Sequence, residues 1–339
     1  MSAATPIATP TPNPTTVFSP ANAAAGPAVR IGTRASTLAR TQTTLVADAL
    51  TAATGLPTEL VLIRTEGDVS TQPLAQIGGT GVFVSALREA LLRGEVDLAV
   101  HSLKDLPTSP ADGIALAAVP VREDPRDVVV ARDSLTLGEL PAGARVGTGA
   151  PRRVAQIEAL GLGVELVEVR GNVDSRLGKV ASGELDAVVL ARAGLARLRR
   201  ADEATEVLDP LQMLPAPGQG ALAIECRADA ELLGVVRTAL DDPRTRACVE
   251  AERTVLAALE AGCSAPVGAL AEIAEGDLGD ELWIRAVALS FDGTLSVRRS
   301  ASGRVDDAAG VGHKLAAEML ADGATELINA HTDVARRRS

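Results

Sequence analysis

Arginines recur in this chain at places where a small anion could be gripped. GTGAPRR at 147–153 follows a strand-like run and puts Pro151 where a first helical residue would stand, so Arg152 and Arg153 fall in the first helical turn. Cations there oppose the helix dipole by roughly 0.3 to 1 kcal/mol each unless an anion is bound. RGNVDSR at 170–176 repeats the arrangement: Arg170 ends a strand, Asn172 or Asp174 can cap the next helix, and Arg176 lies near its first turn. Arg34 also ends a strand, with Ser36 as its following cap. Guanidinium groups at strand ends of two α/β units can converge on one cleft and grip carboxylates in bidentate fashion, so the ligand expected is small and polyanionic. Any one of these arginines taken singly fits a surface salt bridge equally well.

Two further segments carry reactive side chains. GEVDLAVHSLKDLPTSP at 94–110 is an apolar run that breaks at Lys104 and Asp105 and is stopped by Pro107 and Pro110. A charged pair in a loop at the end of a buried strand is where α/β proteins place their chemistry, although ordinary turn residues would fit that segment alone. Of three cysteines, Cys226 alternates with Leu222 and Ile224, and Cys248 shares helical spacing with Ala251, Val255 and Leu259, so both read as packing residues. Cys263 follows Gly262, the expected helix stop, in a short loop before Pro266. A thiol there is exposed enough to react, or is a small residue filling a turn. There is no C-x-x-C, and His101, His313 and His331 have no ligand spacing, so no metal is expected. GGTGVF at 78–83 lacks the lysine and hydroxyl of a phosphate loop, which argues against a nucleotide.

The elements that must position these groups follow from periodicity. Strands at 29–33, 58–64 and 96–102 alternate with helices at about 36–54 and 82–93, and strands at 127–131, 144–148, 164–169 and 186–191 with helices from Pro151, from Val173 and after Ala191. That rhythm predicts two α/β units with largely parallel sheets. ALAIECR at 221–227 and a helix to about Leu240 are placed to return to the first sheet. From Pro243 a helix, three strands and a last helix predict a small α+β domain. The expected division is a disordered tail at 1–27, a first domain of 28–120 plus 221–240, a second of 121–220 and a third of 243–333.

The 339 residues suit two or three cores. A formal net charge of −11 excludes an extended basic face for nucleic acid, and no apolar run approaches a membrane span. Three cysteines make no disulfide framework, so a reducing cytoplasm is expected. Lysines are confined to 104, 179 and 314, which makes Lys104 harder to dismiss as filler.

Taken together, IGTRAS, HSLKDLP, EDPRD, PRR, RGNVDSRL, PGQGALAIECR and EAGCSAPVG, in that order, resemble the porphobilinogen deaminase (hydroxymethylbilane synthase) family from about Val29 to the last helix. The resemblance implies a monomer with two type II periplasmic-binding-protein-like α/β domains, an active site between them, and a small α+β C-terminal domain carrying the cofactor cysteine. It implies a transferase that condenses four porphobilinogen molecules head to tail on a covalent dipyrromethane, releases ammonia each time, and frees a linear tetrapyrrole by hydrolysis. The position matching the thioether anchor is Cys263, and the one matching the catalytic aspartate is Asp105. By the same resemblance Arg34, Arg152, Arg153, Arg170, Arg176 and Arg197, with Ser36, Ser102 and Lys104, contact acetate and propionate groups, and Phe83 matches an aromatic near the pyrrole site. The chain departs from several relatives at Gln76, Thr80, Gly149 and Ala150. A non-catalytic binding protein for a small polycarboxylate is the alternative on the same cleft.

Overall fold

The computed structural model describes residues 27–63, 81–262, 265–276 and 279–329. The expected tail up to residue 26, Gln76, Thr80, His331 and the thiol of Cys263 lie outside the described residues.

Three sheets organise the chain. The first contains β1 (Val29–Thr33), β2 (Thr58–Leu62), β3 (Leu98–Ser102), β4 (Ile114–Ala118) and the late strand β10 (Leu222–Arg227), in the order β2-β1-β3-β10-β4. It packs against α1 (Thr37–Thr54), α2 (Gly81–Leu92) and α6 (Leu232–Leu240). Ser36 caps α1 by accepting the Ala39 N–H at 3.3 Å, and Gly55, at φ 74°, ends it. In the second sheet β5 (Asp127–Ala131), β6 (Arg145–Gly147), β7 (Glu165–Val167), β8 (Ala187–Ala191) and β9 (Glu206–Val207) take the order β7-β6-β8-β5-β9. Its helices are α3 (Pro151–Ala159), α4 (Val173–Ala181) and α5 (Arg192–Arg197).

Counted from each unit's own strands, both sheets read 2-1-3-x-4, where x is the strand next to a crossover between the units. That strand, β10 in one sheet and β5 in the other, runs antiparallel to both neighbours. The expectation of a largely parallel sheet is corrected to this extent. The strands β4 and β9 are additions that sequence periodicity left unmarked, since β4 is the alanine-rich IALAA and β9 is two residues long. With this shared order the α/β fold is of the type II periplasmic-binding-protein kind, joined to a small α+β C-terminal domain.

That third unit is an antiparallel meander of β11 (Val267–Gly276), β12 (Gly279–Leu289) and β13 (Ser296–Arg304). Helices α7 (Pro243–Ala258) and α8 (Ala308–Ala321) cover one face, burying Cys248, Val255, Leu315 and Met319 with Ile284. Part of the other face, Leu270, Val287 and Leu289, packs on Ala155 of α3 and on Leu214. The stop of α7 is not at Gly262: Glu260 adopts φ 51°, a left-handed conformation that glycine usually supplies. Cys226 and Cys248 are buried in cores, as their spacing predicts, and burial raises both thiols, Cys248 to about 11.

The two α/β units are joined by paired crossovers, near 119–126 and 214–221. Glu123 donates its N–H to the Gly220 carbonyl at 3.2 Å, and a Cβ at Gly220, φ 89°, would collide with the Glu123 carbonyl. Glu252 of α7 staples both strands of the hinge to the third unit. Its carboxylate, fully buried, grips Arg122 through two bonds of 2.6 and 3.0 Å and accepts N–H bonds from Gly218 and Ala271. A buried carboxylate survives only with its lone pairs used in this way. Replacing Glu252 by Ala should strand the Arg122 guanidinium and lower the unfolding free energy by about 3 to 5 kcal/mol, read from urea unfolding; an unchanged midpoint would show the staple to be dispensable.

Candidate functional site

Strand β3 delivers Lys104 and Asp105 on the 3₁₀ turn Leu103–Asp105, immediately past its end. The turn is fixed at three points. Leu103 is fully buried and donates its N–H to Ala221 at 3.0 Å, and Leu106 closes the turn on the Leu103 carbonyl. Arg253 of α7 then holds the exit, donating to the carbonyls of Leu106 at 2.8 Å and Pro107 at 2.7 Å. Asp105 is thus a partly exposed side chain on rigid backbone, and a residue of the third unit sets where that backbone leaves.

Facing it from the second unit is the first turn of α3. Arg152 and Arg153 are each only 4% exposed, although they open a helix whose first turn has no acid and whose N-cap, Ala150, offers no side-chain bond. What holds them is Asp127 at the start of β5. Arg152 meets one carboxylate oxygen at 2.8 Å, and Arg153 meets the other through Nη2 at 2.8 Å and Nε at 3.2 Å. Backbone carbonyls take more of their donors, Leu214 from Arg152 and Val189 from Arg153. Burial alone would raise the Asp127 carboxyl; Arg152, Arg153 and a Gln219 bond instead hold it well below the usual carboxylate range.

Charge brings the two sides into one neighbourhood. Burial pushes the Lys104 ammonium down to about 8, with Arg153 and Arg152 adding to the shift and Asp105 and Asp127 opposing it. Burial likewise lowers Arg176, Arg153 reinforcing that and Asp105 opposing it. Lys104, Arg152, Arg153 and Arg176 therefore set four cations against the two carboxylates of Asp105 and Asp127, an excess that a polyanionic ligand would neutralise. The donor set fits a dipyrromethane, whose substituents are carboxylates.

The other expected residues lie around this centre. Asn172, not Asp174, caps α4, accepting the Ser175 N–H at 2.9 Å, which places Arg176 in the first turn with its Nε on the Gly171 carbonyl. Asp174 pairs instead with Arg200. Arg197 reaches the hinge, donating to the Gly220 carbonyl at 2.6 Å. Ser102 accepts a bond from the buried Gln42 amide at 3.1 Å. Arg34 follows β1 and Ser36 caps α1, whose Leu38 lies against Gly194 of α5 in the opposite unit. Arg170 is exposed and paired with Glu168 at 2.7 Å. Phe83 falls within α2, but its side chain, like the Cys263 thiol, is outside the described residues. Ala261 is buried and tied to α7, and Ala265 donates to the Gly262 carbonyl, so the ends of the cysteine loop are anchored.

His101, the one histidine with a strand setting suited to chemistry, is committed elsewhere. Its Nε2 lies 3.2 Å from the Glu225 carboxylate, which Arg88 also grips through bonds of 2.7 and 3.0 Å. Sequence reasoning did not find Asp127, Gln219, Glu252 or Arg253 as site-building residues. EDPRD and PGQGA did flag two of them as segments, but nothing in their local pattern names a distant partner.

Comparison with known proteins gives a consistent result. The family model "Porphobilinogen deaminase, dipyromethane cofactor binding domain" matches residues 29–234, and "Porphobilinogen deaminase, C-terminal domain" matches 246–321. Porphobilinogen deaminase 1 of Streptomyces avermitilis is 61% identical over 315 residues, 89% of this chain and 97% of the relative. Porphobilinogen deaminase of Mycobacterium tuberculosis is 56% identical over 305 residues, 88% of this chain and 98% of the relative. Among solved structures, a periplasmic substrate-binding protein of an ABC transporter from Coxiella burnetii is 14% identical, covering 64% of this chain and 93% of that one, with a TM-score of 0.42.

The buried Glu225 cluster makes stability pH-dependent. Burial works to raise its carboxyl, yet His101 beside it and the Arg88 bonds bring it down from 4.5 to about 2. A depressed folded-state value contributes stability that is present above 4.5 and lost as the pH falls towards about 2. Urea midpoints measured from pH 5 downward should fall less steeply for Glu225→Gln than for the parent chain; equal slopes would remove Glu225 from the acid limb.

Proposed function

The chain belongs to the porphobilinogen deaminase family, and from that premise we propose which of its residues perform the family's reaction and how. It is an enzyme of tetrapyrrole synthesis that acts on porphobilinogen and carries a dipyrromethane cofactor. It condenses four porphobilinogen molecules stepwise, with loss of ammonia, and releases the linear tetrapyrrole hydroxymethylbilane by hydrolysis. In our reading it is a transferase, works as a monomer in the cytoplasm, and divides at 28–120 with 221–240, 121–220 and 243–333.

The observation that carries the assignment of roles is the facing of Asp105, on its clamped turn, by a cationic cluster in excess of its counter-charges. We assign Cys263 as the thioether anchor. The bound dipyrromethane supplies the nucleophilic free α-carbon of its terminal pyrrole. Asp105 places a carboxylate where a pyrrole N–H becomes positively charged during condensation, stabilises that charge, and accepts and returns protons. Lys104, Arg152, Arg153 and Arg176 hold the acetate and propionate groups, with Arg34, Ser36, Ser102, Arg170 and Arg197 extending the grip along the cleft, and Phe83 packing at the pyrrole site. A unit charge pair 4 Å apart at an effective dielectric near 20 is worth about 4 kcal/mol. Without such compensation each added ring, bringing two more carboxylates, would oppose the next.

Two experiments test these assignments. Asp105→Asn should retain the cofactor and lower kcat by about a hundredfold or more; near-normal turnover would refute its role. Intact mass of the purified protein should exceed the sequence mass by one dipyrromethane, and Cys263→Ser should lack the increment. An increment that persists in that variant would move the anchor elsewhere.

A further inference from the structure

Gln219 stands where the hinge, the lysine turn and the arginine cluster meet, and it is 1% exposed. Its Nε2 donates to the Pro125 carbonyl at 2.7 Å and to Asp127 Oδ1 at 2.9 Å. Both partners are acceptors only, which fixes the amide's orientation and turns Oε1 towards Lys104, whose Nζ lies 3.5 Å away. The backbone is held as firmly: the Gln219 N–H donates to Ala216 at 2.9 Å, and its carbonyl accepts Arg122 Nε at 2.7 Å, the same guanidinium that Glu252 grips. Flanking Gly218 and Gly220, at φ 75° and 89°, allow the chain to make this approach.

We propose that Gln219 is a positioning residue, tying the Lys104 ammonium beside Asp105 to the carboxylate that holds Arg152 and Arg153, so that alignment of the anion grip and alignment of the reacting turn are coupled. The proposal rests on the roles assigned above to Asp105 and the arginines. Burial disfavours the charge on Lys104 most, Asp105 and Asp127 favour it, and Arg153 and Arg152 oppose it. The Gln219 oxygen is a neutral acceptor within reach of that ammonium, so a change at this position alters the balance. Replacing it with a thioether removes an acceptor from the ammonium and two hydrogen bonds from Asp127 and Pro125. Replacing it with a carboxylate of the same length adds charge on the lysine side and repulsion on the Asp127 side.

The test uses the holoenzyme and the scarcity of lysine. Reductive methylation with formaldehyde and cyanoborohydride, followed by peptide mass spectrometry across pH, reports Lys104, with Lys179 and Lys314 as references in the same sample. The labelling midpoint of Lys104 should move down in Gln219→Met and up in Gln219→Glu, by about half a pH unit or more, with the reference lysines unmoved. The alkaline limb of the kcat profile should move in the same two directions, and kcat should fall more than KM changes. Midpoints unmoved in both variants would overturn the proposal, because a merely structural amide would change stability without touching the lysine. Gln219→Glu conserves side-chain volume, so if the Met variant fails to fold, the direction of the Glu shift alone decides. Labelling does not depend on turnover. A shift seen together with a fully active Asp105→Asn would sustain the Lys104 coupling and defeat the Asp105 role; an inactive Asp105→Asn with unmoved midpoints would do the reverse.

Discussion

Two guanidinium groups are buried side by side at the head of α3, and the carboxylate of Asp127 makes that possible. Left alone, Arg152 and Arg153 would repel each other and oppose the helix dipole. With Asp127 between them they are nearly removed from water and spend several of their donors on fixed protein acceptors. Side chains with this much rotational freedom are costly to order when a ligand arrives, and here that ordering is done in advance. The arginines are still not neutralised as a pair, and with Lys104 and Arg176 near them the cluster retains a positive excess. The same interaction that stabilises the folded chain leaves it prepared for a ligand rich in carboxylates.

Around this pair the architecture is a set of fixed attachments rather than one continuous core. The lysine turn is held from the first unit by Ala221 and from the third by Arg253. The hinge is held by Glu252, again from the third unit. The meander of that unit packs on α3 through Leu270, Val287 and Leu289. The small domain, which carries Cys263, therefore touches both α/β units and the segments that cross between them. α7 and the meander thus each hold fixed contacts to the α/β units on either side.

Much of this could be read from the sequence because its signals are local. Ser36 and Pro151 mark helix starts by their own side chains, and Cys226 and Cys248 disclose their burial by period. The motif set from IGTRAS to EAGCSAPVG carries the family. What could not be read is non-local. Glu252 looks like any charged residue in PRTRACVEAERTVLAA until its partners at 122, 218 and 271 are brought to it. Asp127 looks like the polar start of a strand, and Gln219 like a loop amide. The helix stop was misplaced because Glu260 takes a left-handed conformation at a cost that sequence rules assign to glycine two residues later.

The sheet order has a bearing on how the chain is made. Every strand of the second sheet lies between Asp127 and Val207, so that sheet can form as soon as this stretch has emerged from a ribosome, and Leu208 and Met213 follow at once to fill its core. The first unit begins a hundred residues earlier, yet its β10, which separates β3 from β4, is among the later segments to be synthesised. Until Leu222–Arg227 appears, β3 and β4 have no common neighbour, and each exposes an unpaired edge. The unit that is started first is finished second, and the Leu103–Asp105 turn at the end of β3 acquires its Ala221 anchor only when the chain comes back to close that gap.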